Sequence, residues 1–227
     1  GGERPSYSIA TVAWAGWSPL HVAEELGFWK DLGLRMRVKI YDDPIVILEA
    51  IKAGRIDFAM DMIGSLVGVY MNGTPVVALA ETNWSHGGDR VIVGRGESIR
   101  QHRGKPVGVF LDLPSCIYFL GLYLKTQGLG LKDFRIVEIN PKNLSEQFAA
   151  GRIPAIVNYD PWALHALQAG NGQALATSAD FPGCIPEGIW GYRERLAKIP
   201  GEDIRNLLRG WIRAAAWCLD PENSAAY

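Results

Sequence analysis

Short β-rich runs alternate with helically spaced stretches along nearly the whole chain, and this alternation limits the fold more than any other feature. "YSIATVAW" (7–14) reads as a strand, and "SPLHVAEELGFWKDLG" after it as a helix with Leu20, Ala23 and Leu26 on one face. "RMRVKIY" (35–41) is a strand, "DPIVILEAIKAG" a helix closed by Gly54, and "IDFAM" (56–60) a strand. A helix at 65–71 leads to the strand "TPVVALAE" (74–81). Further strands are predicted at 90–94, 105–110, 134–139, 155–159 and 174–178, with helices at 115–127, 144–150 and 160–170. From Pro186 onward the pattern reads as helical. Such alternation predicts βαβ units and largely parallel sheets covered on both faces, an α/β class. The rhythm breaks once, where 74–81 and 90–94 follow each other without a helix, so the chain is expected to cross there from one sheet to another. The 227 residues suffice for two lobes of about 100 residues each. The expected division is 1–85 with 186–227, and 86–185. No internal sequence repeat is visible.

Composition removes several function classes. A net charge of -1 and a pI near 6.5 leave no electrostatic footprint for nucleic acid or an anionic membrane. No apolar run approaches the ~18–20 residues that span a bilayer. The start "GGERPSYSIA" has no basic-then-apolar leader, so either none was made or one was removed. Cys116, Cys184 and Cys218 lie far apart without CxxC spacing, against a zinc cluster or a dense disulfide framework. One bridge stays open, and the odd count leaves at least one thiol free. With neither a GxxxxGK[ST] loop nor a GxGxxG fingerprint, no cofactor is expected.

Helix starts are more informative. Ser18-Pro19, Asp43-Pro44 and Asp160-Pro161 each place a capping side chain before proline, and Ser115 follows Pro114. The cap oxygen accepts a helix N–H, while proline gives up an N–H that is unpaired anyway. In a parallel sheet these starts sit at the carboxyl edge of the strands, where ligands bind. The same predicted edge gathers Trp14, Trp17, Trp84, Tyr159 and Trp162, whose apolar faces and polar tips suit small ligands. It also gathers Asp43, Asp61, Asp89, Asp112 and Asp160. Asp43 and Asp160 read as caps, whereas Asp61, Asp89 and Asp112 are free to pair with a ligand ammonium or another donor.

"NWSHGGDR" (83–90) admits four readings: metal site, catalytic machinery, ligand-binding hinge, or polar turn. His86 with Ser85 and Asp89 suggests a hydrolase, but no G-x-S-x-G elbow exists. His21, His102 and His165 show neither HxxxH nor HExxH spacing, against a metal. Gly87-Gly88 permits the close backbone approach of a binding turn.

The ordered motifs "SPLHVAEELGFWKDLGL", "AIKAGRIDFA", "GTPVVALAE", "HRGKPVGVF", "GLGLKDFRIVEINP" and "FAAGRIPAIVNYDPW" resemble the periplasmic solute-binding proteins of nitrate/sulfonate/taurine ABC transporters, a family that includes pyrimidine-precursor-binding proteins. The match runs from about Tyr7 to Ser178; its motifs are individually loose but specific in order and spacing. The resemblance implies a periplasmic-binding-protein-like fold of two α/β lobes, joined by two crossovers near 82–90 and 178–190, that close on a small ligand held in a cleft. Carried over by position, it implies a pocket from Trp14, Trp17 and Ser18; from Asp61 and Ser65; and from Trp84, Ser85, His86, Gly88 and Asp89. Asp112, Ser115, Asn158, Tyr159, Asp160 and Trp162 complete it, with no catalytic or metal-binding residue. Two departures stand out. Pro154-Ala155 replaces the family's usual acidic residue and alanine, and the helical tail is shorter than in other members, as in a truncated chain or a sensor module.

The implied function is non-enzymatic binding of a small polar solute (sulfonate, taurine-like, nitrate or a related organic anion) for ABC-type import. The implied partners are that ligand and a membrane permease, with the chain a monomer in the periplasm or held outside the membrane. Alternatives are a pyrimidine- or menaquinone-pathway enzyme on the same fold, with His86 and Asp89 as acid or base, and a ligand-sensing module.

Overall fold

The computed structural model describes residues 5–223, apart from the side chain of residue 44. The chain forms two compact units, Gly1–Asn83 with Glu187–Tyr227, and Trp84–Pro186. The outermost residues of the expected first lobe, 1–4 and 224–227, lie outside the described residues.

In chain order the first unit begins with β1 (Ser6–Thr11), α1 (Pro19–Glu25), α2 (Phe28–Asp31), β2 (Arg35–Ile40), α3 (Pro44–Lys52), β3 (Phe58–Met62), α4 (Ile63–Met71) and β4 (Val76–Trp84). The second unit holds β5 (Asp89–Gly94), β6 (Pro106–Val109), α5 (Pro114–Thr126), β7 (Arg135–Glu138), α6 (Pro141–Ala149), β8 (Ala155–Tyr159), α7 (Trp162–Ala169) and β9 (Gly172–Thr177). The chain returns through β10 (Pro186–Tyr192), α8 (Arg193–Leu196) and α9 (Gly201–Leu219).

Each unit has a five-stranded sheet, ordered β2-β1-β3-β10-β4 in the first and β7-β6-β8-β5-β9 in the second. Three strands of each run parallel, and the fourth, β10 or β5, is antiparallel to its neighbour β3 or β8. The antiparallel strand is in both cases the one by which the chain enters from the other unit. No sequence repeat announces this shared order, because strand order is set by burial and connectivity rather than by residue identity.

Two expectations are corrected. Residues after Pro186 do not start as helix: "PEGIWGY" is β10, an almost wholly buried strand between β3 and β4 in the first sheet. A strand buried on both faces loses the alternation by which strands are recognised. The helix expected across 18–30 is two helices, because Gly27 adopts a left-handed φ of 73° that ends α1.

The first core centres on Ile9, Leu20, Trp29, Phe58, Met60, Ile189, Leu207 and Trp211. Trp29 donates its indole N–H to the Leu207 carbonyl at 2.9 Å, and Gly210 lets α9 close on its ring, where a Cβ would meet the indole at 2.1 Å. Asp57, buried under β1, accepts from the Ser8 amide and pairs with Arg195 at 2.5 Å, fastening α8 to the sheet. In the second unit Ile92, Leu144, Phe148, Ile156 and Ala166 form the core.

Candidate functional site

The carboxyl edge of the first sheet is built around a residue that sequence reasoning missed. Glu187, the second residue of β10, lies opposite Met62, the last residue of β3, and is buried. Its carboxylate accepts from the Trp17 indole at 2.5 Å and from the Asn83 amide at 2.5 Å, while its carbonyl accepts from Thr82 at 3.2 Å. Trp17 is therefore buried and committed, whereas Trp14 stays half-buried beside it. Gly16 permits their close approach: a Cβ there would lie 2.7 Å from Trp14 Nε1 and 3.3 Å from Asn83 Nδ2. The signal for Glu187 was hidden because its strand read as helix.

Asp61 ends the same edge on β3, accepting from the Met62 amide at 2.7 Å; burial pushes its carboxyl up to about 6, against the lowering effect of that bond. Ser65 lies in the first turn of α4, its buried hydroxyl without a hydrogen-bond partner. Ser18 holds the N-cap position of α1, but its side chain makes no cap bond. It is already helical (φ -55°, ψ -26°), and its hydroxyl donates to the Ala15 carbonyl at 2.6 Å, closing the turn before α1. Asp43 does cap α3, accepting from Ile45 at 2.8 Å. A separate cavity of about 280 Å³, lined by Glu24, Trp29, Lys30 and Arg35, opens near the start of β2, away from the carboxyl edge of this sheet.

The second edge gathers around Asp89, which opens β5 opposite Tyr159, the last residue of β8. Asp89 is 6% exposed. It accepts from the Ser85 hydroxyl at 2.5 Å, and Ser85 in turn lies 2.9 Å from the Ser178 hydroxyl. Ser178 accepts from the amides of Gly87 (2.8 Å) and Asp89 (3.3 Å), so one buried serine at the end of β9 locks the 85–89 turn. Ser178 ended a predicted strand, and that edge position was its only sequence signal. Burial pushes the Asp89 carboxyl up to about 6, with the Asp160 charge adding and the Ser85 bond opposing. Burial also raises the Tyr159 phenol to about 12, with lesser contributions from Cys116 and Asp89.

Asp160 is not a helix cap. α7 starts at Trp162, with Pro161 as its flanking residue and no side-chain cap. Asp160 instead pairs with Arg90 at 2.8 Å, and its amide donates to the Gly88 carbonyl at 3.0 Å. Ser115 sits inside α5, whose N-cap position is held by Leu113. Asn158 is turned to structure: its amide donates to the Pro141 carbonyl (2.8 Å) and Ser145 (2.9 Å), tying α6 to β8. Asp112, His86 and Trp84 are exposed, and Trp162 is half-buried. His86 is exposed rather than buried, and the described bond to the Asp89 carboxylate comes from Ser85. Among the described residues no three His, Cys, Asp or Glu side chains could hold a metal, and no helix is long and apolar enough to cross a membrane.

Two polar strand edges, each centred on a buried carboxylate, are the molecule's chemical resources, and residues 1–227 match the NMT1-like family. The chain belongs to the NMT1-like family. Its sheets carry the periplasmic-binding-protein fold. It is 18% identical to the periplasmic aliphatic sulphonate-binding protein SsuA of Escherichia coli, with a TM-score of 0.79, covering 95% of this chain and 74% of that one. It is 19% identical to the periplasmic nitrate-binding protein NrtA of Synechocystis PCC 6803, with a TM-score of 0.74, covering 96% and 63%. In sequence it is 24% identical to the nitrate import ATP-binding protein NrtC of Synechococcus elongatus over 222 residues, 90% of this chain and 34% of that protein. The chain spans between 34% and 43% of the length of the curated relatives it matches.

Proposed function

We propose that this NMT1-like chain binds a small polar solute at the carboxyl edges of its sheets and delivers it to an ABC-type permease, without catalysing a reaction, in the periplasm or at the outer face of a membrane. What carries the reading is the pair of polar strand edges on a fold shared with solute-binding proteins named for sulphonate and nitrate. Ligands of open α/β sheets bind at that edge because free N–H groups and strand-end side chains converge there. The first unit offers Trp14, Asp61 and Ser65 at its edge; the second offers Trp84, Ser85, His86, Asp89, Asp112, Tyr159, Asp160 and Trp162, with the Gly88 backbone. Trp17, Ser18, Ser115 and Asn158 lie at the same edges.

A thermal-shift panel of alkanesulfonates, taurine, nitrate, organic amines and nitrogen heterocycles tests the reading. A ligand at 100 times its dissociation constant adds about 2.7 kcal/mol. A midpoint rise of several degrees with one class, and no turnover of that compound, is the expected result. Turnover of the bound compound would move the chain to the enzyme reading.

A further inference from the structure

The cavity of about 280 Å³ lies wholly within the first unit, between the α1–α2 turn and β2, and the solute-binding reading makes no use of it. Its apolar wall comes from Trp29, Leu34 and Met36, all buried. Trp29 is fixed by its bond to the Leu207 carbonyl and by Gly210 against its ring, so that wall is formed before anything binds. The rim carries Lys30 and Arg35, both exposed, and a single acid, Glu24. Among the described residues Arg35 forms no ion pair, and Asp31, the acid next to Lys30 in sequence, is taken by Arg213 at 3.3 Å. Arg37 and Lys39 follow Arg35 as exposed positions of β2 and add to the same positive field.

The backbone of β2 supplies a second, independent feature. β2 stands at the edge of its sheet and pairs with β1 alone. The amides of Arg35 and Tyr41 donate to the Pro5 and Thr11 carbonyls on the β1 side. Strand alternation therefore turns the amides of Met36 and Val38 outward, off the open edge. The Val38 amide is already engaged: it donates to Glu24 Oε1 at 3.2 Å. The fold thus seats one carboxylate against this edge. The next outward donor along the strand is the Met36 amide, roughly 6.6 Å away, and Met36 lines the cavity.

The geometry points to a second binding site in this cavity, for a small monocarboxylate with an apolar body, aromatic or short-chain. Its carboxylate accepts from the Met36 amide as Glu24 accepts from that of Val38, with Lys30 and Arg35 as counter-ions. The apolar body lies against Trp29, Leu34 and Met36. Two cations against one acid leave the rim with one positive charge, which fits a monoanion. A volume just below the ~300 Å³ at which small-ligand pockets begin matches a small occupant. The cavity opens near the start of β2, away from the carboxyl edge, so the inference stands apart from the solute-binding reading.

The test is titration calorimetry of the whole chain with benzoate, hexanoate, acetate, benzamide and benzylamine. Benzoate or hexanoate is expected to bind. The other three should bind at least about tenfold more weakly, since each lacks the apolar body or the negative charge. Arg35→Glu should weaken the bound carboxylate about threefold, and Lys30→Glu combined with Arg35→Glu about tenfold. Both variants should melt like the parent, because the two side chains are exposed. Methyl-labelled methionine gives the location: of the four methionines, Met36 should show the largest shift on binding. If neither carboxylate binds, if benzamide or benzylamine binds as tightly, or if the double variant binds as the parent does, the inference is overturned. A carboxylate that binds with the Met36 signal unmoved sits elsewhere, which also overturns it and leaves the solute-binding reading standing.

Discussion

Replacing Asp89 by asparagine should stabilise the chain while it weakens binding. Asp89 titrates near 6 in the fold against an ordinary 3.8, chiefly because burial penalises its charge. At 1.36 kcal/mol per pKa unit, holding it ionised costs the fold about 3 kcal/mol at pH 7.5. The sign follows from proton counting. Between pH 4 and 6 the folded chain retains a proton that the unfolded chain has released, so stability falls as pH rises through that window and levels off above it. The carboxamide of Asp89→Asn would carry no charge and keep the acceptor for Ser85, whose preference for the ionised carboxylate is already contained in the raised value. The gain at pH 7.5 is then about 3 kcal/mol, or about 6–12 °C in a chain of this size. Calorimetric melting of parent and variant from pH 4 to 8 measures it. The difference should be largest above pH 6.5 and vanish near pH 4, while Asp61, raised to about 6 by its own burial, continues to titrate in both. An unchanged midpoint at pH 7.5 with the parent's pH slope would show that Asp89 is not a desolvated charge.

Three further outcomes are expected. Gly188→Ala would place a Cβ 2.3 Å from the Ala80 carbonyl oxygen and 2.8 Å from Ile63, so it should cost about 3 kcal/mol; a parent-like melt would contradict the close packing of β10. Asn158→Ala orphans its contacts to the Pro141 carbonyl and Ser145 and should cost about 2 kcal/mol with solute affinity retained. Loss of affinity with unchanged melting would make Asn158 a ligand contact. Trp162→Ala should leave melting nearly unchanged, since the residue is half-buried, and weaken the solute by about 1 kcal/mol in titration calorimetry.

The sequence by itself determined the class. Strand and helix periods are local, and so are Asp43 capping α3 and the missing helix between β4 and β5; each can be read without knowing what lies across the sheet. The position of the strand edges was legible as well, since it follows from where strands end. What the side chains do at those edges was decided by tertiary structure. Ser18, Ser115 and Asp160 have the composition of caps, yet the Ala15 carbonyl and Arg90 claim two of them and α5 takes in the third. The bonds of the Asn158 amide to the Pro141 carbonyl and Ser145 form only when α6 packs against β8. β10 was hidden because a central strand is apolar on both faces, and with it went Glu187, whose donors come from residues 170 and 104 positions away. Ser178 became the lock of the 85–89 turn across a separation of 91 residues. Periodicity records only which neighbours along the chain share a face; which polar groups meet across the fold is fixed only when the sheets assemble.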